Sequence, residues 1–252
     1  MDASRKPSRF LTAEWRHLAM LNYRVDPAAL RSRVPRGTEL DSWNGGTFVS
    51  MVGFMFLNTK LLGVPVPFHR NFEEVNLRFY VRHRGAEGWR RGVVFVKEIV
   101  PRQAIAAVAR LCYGERYVCA PMRHRLETDA GMIRENGAAR YEWLHRAEWN
   151  HLEVRATGQP SFPQPGSEEE FITEHYWGYA VQRSGGTVEY RVEHPQWRVC
   201  QVSEATLQCD ARTLYGAEFH DCLSGRPSSS FLAEGSAVTV NQGHVLSPGS
   251  VS

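Results

Sequence analysis

Residues 74–81, Glu74-Val75-Asn76-Leu77-Arg78-Phe79-Tyr80-Val81, alternate polar and apolar types with a period of two. Successive side chains of a β-strand point to opposite faces. Glu74, Asn76, Arg78 and Tyr80 would then share one face, and Val75, Leu77, Phe79 and Val81 the other. An acid, an amide, a guanidinium and a phenol in one row can grip a small polar molecule. The same row also suits the wet face of an ordinary antiparallel sheet. A third reading has Glu74, Asn76 and Arg78 satisfying one another inside a narrow barrel, because buried polar groups need partners. Room for several heavy atoms beside Glu74 would favour the first.

Other groups could join this row. The loop Gly63–His69 is stiffened by Pro65 and Pro67 and could form a pocket edge, which makes His69 a candidate ligand contact. Strict alternation along Gly92–Ile99 puts Lys97 on one face with Val93 and Phe95. Apolar surroundings lower a lysine's pKa and make it a better nucleophile. The alternative is a solvated lysine near Glu98. The only lysines are Lys6, Lys60 and Lys97, so imine chemistry has three candidates.

His145 and His151 invite a metal reading. On one continuous strand they would share a face but stand about 20 Å apart. No H-E-x-x-H or paired-Cys spacing occurs, so no metal is expected. His175 and His194 read as packing or hydrogen-bonded residues. There is no Walker motif, no G-x-G-x-x-G and no G-x-S-x-G, which removes nucleotide-binding and serine-hydrolase readings; no cofactor is expected.

The elements that must position these groups are mostly strands. Thr47–Leu57 reads as a central strand, and Glu74–Arg82 with Gly92–Ile99 as a hairpin around Gly85 and Gly88. Asn136-Gly137 marks a turn into one long strand, Tyr141–Arg155, with Tyr141, Trp143, His145, Ala147 and Trp149 on one face. Tyr176–Arg183 pairs with Thr187–Glu193 around Ser184-Gly185-Gly186, and further strands lie near Val199–Cys209 and Ala237–Val240. Three helices are expected. Asp26 caps the first, Pro27 suits its first turn and Pro35 stops it. The second covers Gln103–Tyr113, with Gly114 placed to end it. The third starts at Ser167, where Ser167 and Glu170 form a capping box, and runs to about His175. Gly158–Gly166 reads as a long loop. Many antiparallel strands with few helices point to a closed or nearly closed barrel.

Composition sets wider bounds. The 252 residues carry a net charge of +3, with 23% charged and 42% hydrophobic residues, as in an ordinary globular protein. No cationic tract exists to follow phosphates, so no nucleic-acid partner is expected. No stretch approaches the roughly 20 apolar residues of a membrane span. Five widely spaced cysteines without C-x-x-C, and a polar Met1–Arg9, point to a reduced cytoplasmic setting. Residues 1–9 and 247–252 read as flexible tails around a single domain, 10–246.

Glu74-Val-Asn76-Leu-Arg78-Phe-Tyr80-Val81 resembles the E-x-N-x-R-x-Y-V signature of the uncharacterised YqjF-like family, within the acetoacetate decarboxylase-like superfamily. Leu21–Asp26, Ala109–Gly114 and Glu170–Tyr176 carry the same resemblance, which spans nearly the whole chain. It implies a mainly β (α+β) fold: an acetoacetate decarboxylase-like, closed or nearly closed antiparallel barrel with a few peripheral helices. It also implies assembly into a homo-oligomer.

Residue by residue, Tyr23–Pro35 resembles the decarboxylase's N-terminal strand and helix, and counting back places Arg16 at its substrate-binding arginine. Phe72-Glu73-Glu74 resembles the segment carrying one active-site glutamate, so Glu74 inherits that role. Tyr117 stands where the imine-forming lysine should be. The other pocket glutamate is lost, with Val49 nearest its place.

A phenol cannot replace a primary amine in imine chemistry. The resemblance therefore implies an enzyme acting on a keto acid or related carbonyl compound (a lyase, hydratase or cyclase) by non-covalent acid/base chemistry. Arg16 would hold the carboxylate, Glu74 would move the proton, Tyr117 would polarise the carbonyl and Arg78 would orient Glu74. Asn76, Arg78, Lys97 and His69 would contact the small-molecule substrate. The alternatives are a non-catalytic binding barrel, or imine chemistry through Lys97.

Overall fold

In the computed structural model the alternating segment is the middle of a long strand, and its two faces look into two different cores. The structure describes residues 8–65, 67, 69–101, 117–182 and 184–246. The helix expected over Gln103–Tyr113, and the tails 1–7 and 247–252, lie outside the described residues. Arg9, expected in the first tail, opens a strand.

Strands occupy most of the described chain. The first half contains β1 (Arg9–Val25), β2 (Glu39–Leu40), β3 (Thr47–Leu61), β4 (Val64–Pro65), β5 (Phe72–Gly85) and β6 (Gly88–Val100). Then come β7 (Tyr117–Cys119), β8 (Met122–Leu126), β9 (Thr128–Asp129), β10 (Met132–Ile133), β11 (Ala138–His145) and β12 (Glu148–Ser161). The last are β13 (Trp177–Val181), β14 (Thr187–Glu193), β15 (Val199–Gln208), β16 (Ser229–Asn241) and β17 (His244–Val245).

One large sheet runs β14-β13-β6-β5-β3-β1-β16, and β14 also pairs with β16 through Val192↔Val240 and Glu193↔Thr239. The sheet thus curls into a nearly closed barrel. Beyond β16 it continues through β15, β12 and β11 to β8, and this arm folds over the outer faces of β1 and β3.

The polar/apolar alternation is what separates the two cores. Val75, Leu77, Phe79 and Val81 pack outward with Tyr141, Trp143 and Leu152 of the covering arm. Tyr80 faces inward with Phe54, Phe56, Phe72 and Trp197. Helix Glu168–Thr173, capped by Ser167 Oγ accepting from the Glu170 amide at 3.2 Å, seats Phe171 and Ile172 in that inner core. It ends two residues before His175. The first helix, Pro27–Leu30, continues as a 3-10 turn over Arg31–Arg33, and Asp26 caps it as expected.

Two glycines permit close approaches that shape the barrel. Gly235 has φ +77°, and a Cβ there would meet the Trp15 carbonyl oxygen at 2.0 Å. A Cβ on Gly178 would meet the Tyr190 ring at 2.1 Å.

The long strand expected over Tyr141–Arg155 is two strands. The chain reverses at Arg146-Ala147, both at positive φ (48° and 64°), and β11 pairs antiparallel with β12. That backbone normally calls for Asn or Gly, which is why the turn carries no sequence signature. Trp149 is therefore exposed, opposite Leu144, rather than in line with Trp143. Two short helices, Ala211–Leu214 and His220–Ser224, were not expected. No helix among the described residues is long and apolar enough to cross a membrane.

Candidate functional site

A cavity of about 160 Å³ lies inside the barrel, and Glu74, Asn76, Arg78 and Tyr117 line it. All three β5 residues are buried, at 2%, 1% and 8% exposure. Asn76 Nδ2 donates to Glu74 Oε1 at 2.9 Å, and the Tyr117 hydroxyl donates to Glu74 Oε2 at 3.4 Å. Burial pushes the Glu74 carboxyl up to about 7, against the pull of those two hydrogen bonds and the Arg78 charge. A carboxyl that titrates near neutrality can both accept and return a proton.

Arg78 is the anomaly of the row. Its guanidinium makes no hydrogen bond or ion pair among the described residues; its carbon lies 5.8 Å from the Tyr80 ring centroid, and its charge acts on Glu74, His175 and His194. A buried cation with no hydrogen-bonded or ion-paired anion costs several kcal/mol of desolvation. Tyr80, the last of the row, serves the architecture instead. Its hydroxyl lies 2.6 Å from Ser50 Oγ, which donates to Asn22 Oδ1 at 2.6 Å.

A β-bulge changes the roles expected on β6. Leu77 pairs with Lys97 but Arg78 pairs with Phe95, so Val96 is an extra residue and the faces switch there. Val93 and Phe95 line the cavity as alternation predicts, whereas Lys97 does not. Its ammonium donates to the Leu214 carbonyl and sits 5.8 Å from the Tyr215 ring, in the outer core. Glu98 takes the inward place: it is 2% exposed, lines the cavity, and pairs with both Asn76 and Tyr117 across its two neighbours.

Arg16 and His69 also lie outside the cavity lining. Arg16 is directly opposite Met55, an outer-core residue, and cross-strand partners share a face. Its guanidinium binds Glu14 Oε2 at 2.7 Å and the Gly235 carbonyl at 3.3 Å. The His69 ring bonds its own loop, with Nδ1 2.7 Å from the Pro67 carbonyl oxygen. Val49 faces the outer core.

Two histidines read from sequence as packing residues line the cavity as well. His175 Nε2 lies 3.5 Å from Asp41 Oδ2, and Arg91 Nε donates to the same oxygen at 2.7 Å. Burial drives His175 down to about 4, although Asp41 pulls the other way. His194 stacks on Trp197 with centroids 4.2 Å apart, and burial lowers its pKa also. Both rings are therefore neutral at pH 7. Much of the remaining wall is aromatic, including Trp15, Phe54, Phe56, Phe95, Trp177 and Trp197, and most of the rest is aliphatic. Among the described residues no group of three or more His, Cys, Asp or Glu is placed to hold a metal.

Comparison with known proteins agrees with this architecture. Residues 12–237 match DUF2071, a family described as an uncharacterised conserved protein. The chain belongs to the DUF2071 family. Its relative YqjF of Bacillus subtilis (strain 168), an uncharacterised protein, is 28% identical over 201 residues, covering 79% of this chain and 78% of YqjF. Among solved structures, the enduracididine biosynthesis enzyme MppR complexed with pyruvate superposes with a TM-score of 0.68 at 17% identity, over 98% of this chain and 93% of MppR. The acetoacetate decarboxylase of Legionella pneumophila superposes with a TM-score of 0.66 at 13% identity, over 98% and 92%. At these identities the likeness is one of fold. This DUF2071 chain has the acetoacetate decarboxylase-like fold.

Proposed function

We propose that this protein is an enzyme acting on a small 2-oxo acid or related carbonyl compound, by acid/base chemistry without a covalent intermediate. The observation that carries the reading is Arg78, a buried guanidinium lining the cavity that neither hydrogen-bonds nor ion-pairs with any described carboxylate. A ligand carboxylate would supply that partner, with charge-assisted and potentially bidentate hydrogen bonds. The role assigned from resemblance to Arg16 thus passes to Arg78. Pyruvate bound to MppR is consistent with such a ligand on this fold.

With the carboxylate on Arg78, the ketone lies toward Glu74 and Tyr117. Ionised Glu74 takes a proton from the carbon next to the carbonyl. The C–H electron pair becomes the enolate double bond, and the carbonyl π pair moves onto oxygen, where the Tyr117 hydroxyl steadies the charge. Return of the proton to carbon completes simple exchange. In a lyase or dehydratase cycle the oxygen pair re-forms the carbonyl and the enolate double bond shifts outward. A group on the next carbon then departs with its bonding pair, taking the proton held by Glu74, and a hydratase runs the same steps in reverse. Lys97 takes no part, because its amine is engaged outside the cavity. The four described cysteines are free thiols, which fits a reduced cytoplasmic setting.

Incubating the protein with pyruvate in D2O and following the methyl signal by NMR tests this reading. Deuterium should enter the methyl group faster than in buffer, and Glu74→Gln should remove the acceleration. Equal exchange in wild type and Glu74→Gln would refute the role of Glu74.

A further inference from the structure

We infer that the cavity selects monocarboxylic 2-oxo acids with a short apolar tail, and rejects dicarboxylic ones; this rests on the Arg78 reading above. The charge inventory sets the first half of the preference. Arg78 is the one cation lining the cavity among the described residues, and Glu74 and Glu98 are the carboxyls. Both lining histidines are neutral at pH 7, so neither offers a second positive site. A second carboxylate on the ligand would be desolvated beside two carboxyl groups with no second cation among the described residues to meet it.

The tail preference follows from the opposite wall. The ionisable groups and the Asn76 amide are concentrated on β5, the end of β6 and the start of β7, with the two histidines beside them, while the other polar lining groups are the neutral hydroxyls of Thr59, Thr173 and Tyr190 and tryptophan N–H groups. Across the cavity stand Leu11, Trp15 and Leu18 of β1, with Val192 and Val240. These five offer a polar tail only the buried Trp15 indole N–H, and the neutral hydroxyls of Thr59 and Tyr190 elsewhere in the lining supply no charge to hold an anionic one. The volume of about 160 Å³ matches a cavity known to hold one benzene, which limits the ligand to about six to nine non-hydrogen atoms. A carboxylate and a ketone use five of these atoms, leaving room for a branched tail of about three or four carbons.

Binding to the full chain, measured by titration calorimetry at pH 7, tests the inference with four probes: pyruvate, 3-methyl-2-oxobutanoate, 4-methyl-2-oxopentanoate and 2-oxoglutarate. Each buried carbon should tighten binding about fourfold. The three extra carbons of 4-methyl-2-oxopentanoate should then improve on pyruvate by about tenfold to sixtyfold. 2-Oxoglutarate should bind at least about tenfold more weakly than 4-methyl-2-oxopentanoate. Arg78→Met should abolish binding of all four, with melting temperature reporting that the variant is folded. If Arg78→Met abolishes binding but 2-oxoglutarate or pyruvate binds wild type as tightly as the branched acids, the tail selectivity is wrong and the Arg78 site stands. If no acid binds, or Arg78→Met binds them unchanged, both fall.

Discussion

Glu74→Gln should make the protein more stable at pH 8 and leave it unchanged at pH 4. The wild-type carboxyl has its folded pKa raised from 4.5 to about 7 by burial. Below pH 4.5 it is protonated in both the folded and unfolded states and costs nothing in charge. As pH rises from 4.5 to 7 the unfolded chain releases the proton and the folded chain does not, so stability falls. Above pH 7 the accumulated loss is roughly 3 kcal/mol, taking 1.36 kcal/mol per pKa unit. Glutamine has no proton to lose. It also keeps both contacts, with its oxygen accepting from Asn76 and its amide facing the Tyr117 hydroxyl. Differential scanning calorimetry of the two proteins between pH 4 and 8 should therefore show coincident melting at pH 4. The variant should melt about 6–12 °C higher at pH 8, since 1 kcal/mol moves a domain of this size by about 2–4 °C. Comparing the two proteins cancels every other titrating group. A variant that gains nothing as pH rises would show that Glu74 is an ordinary carboxylate, and the acid/base argument would fail with it.

Other outcomes follow from the same geometry. Arg78→Met should stabilise the fold by about 1–4 kcal/mol in urea unfolding at pH 5, because it removes a buried charge with no partner; destabilisation would mean the guanidinium is compensated after all. Lys97→Met should exchange pyruvate protons within about twofold of wild type, and borohydride with pyruvate should leave no reduced adduct by intact mass. An adduct lost in Lys97→Met would restore the imine mechanism. His17 is held down to about 4 mainly by burial, so its share of stability is complete above 6.5 and lost as pH falls through 4. His17→Asn fits the residue's φ of 57° and should save about 2–3 kcal/mol of that acid loss; an unchanged acid slope in urea titrations would contradict it.

The inward row of β5 was legible because its alternation is unbroken from Glu74 to Val81, and a strand's period needs no tertiary information. The hairpin, the Asp26 and Ser167 caps and the central strand were legible for the same local reason. Lys97 was misplaced by one extra residue, Val96, and the same slip hid Glu98. Nothing local marks that bulge, since Val-Val-Phe-Val reads equally well in either register. The Arg146-Ala147 turn was hidden because its left-handed residues are not the types that favour it. His175 and His194 reach the cavity from segments flanking β13 and β14, a convergence that only the closing of the barrel creates. Arg16 was placed by counting along β1, whose register shifts between Arg16 and Ala19. The helix over Gln103–Tyr113 lies outside the described residues.

The proposed chemistry needs a carboxyl that titrates near neutrality beside an arginine awaiting an anion. Carbon-13 NMR of the Glu74 side-chain carboxyl, assigned by its loss in Glu74→Gln, reads that group directly. The titration midpoint should lie near 7 and move higher when 4-methyl-2-oxopentanoate neutralises Arg78. A midpoint near 4.5, or one that ignores the added acid, would contradict it.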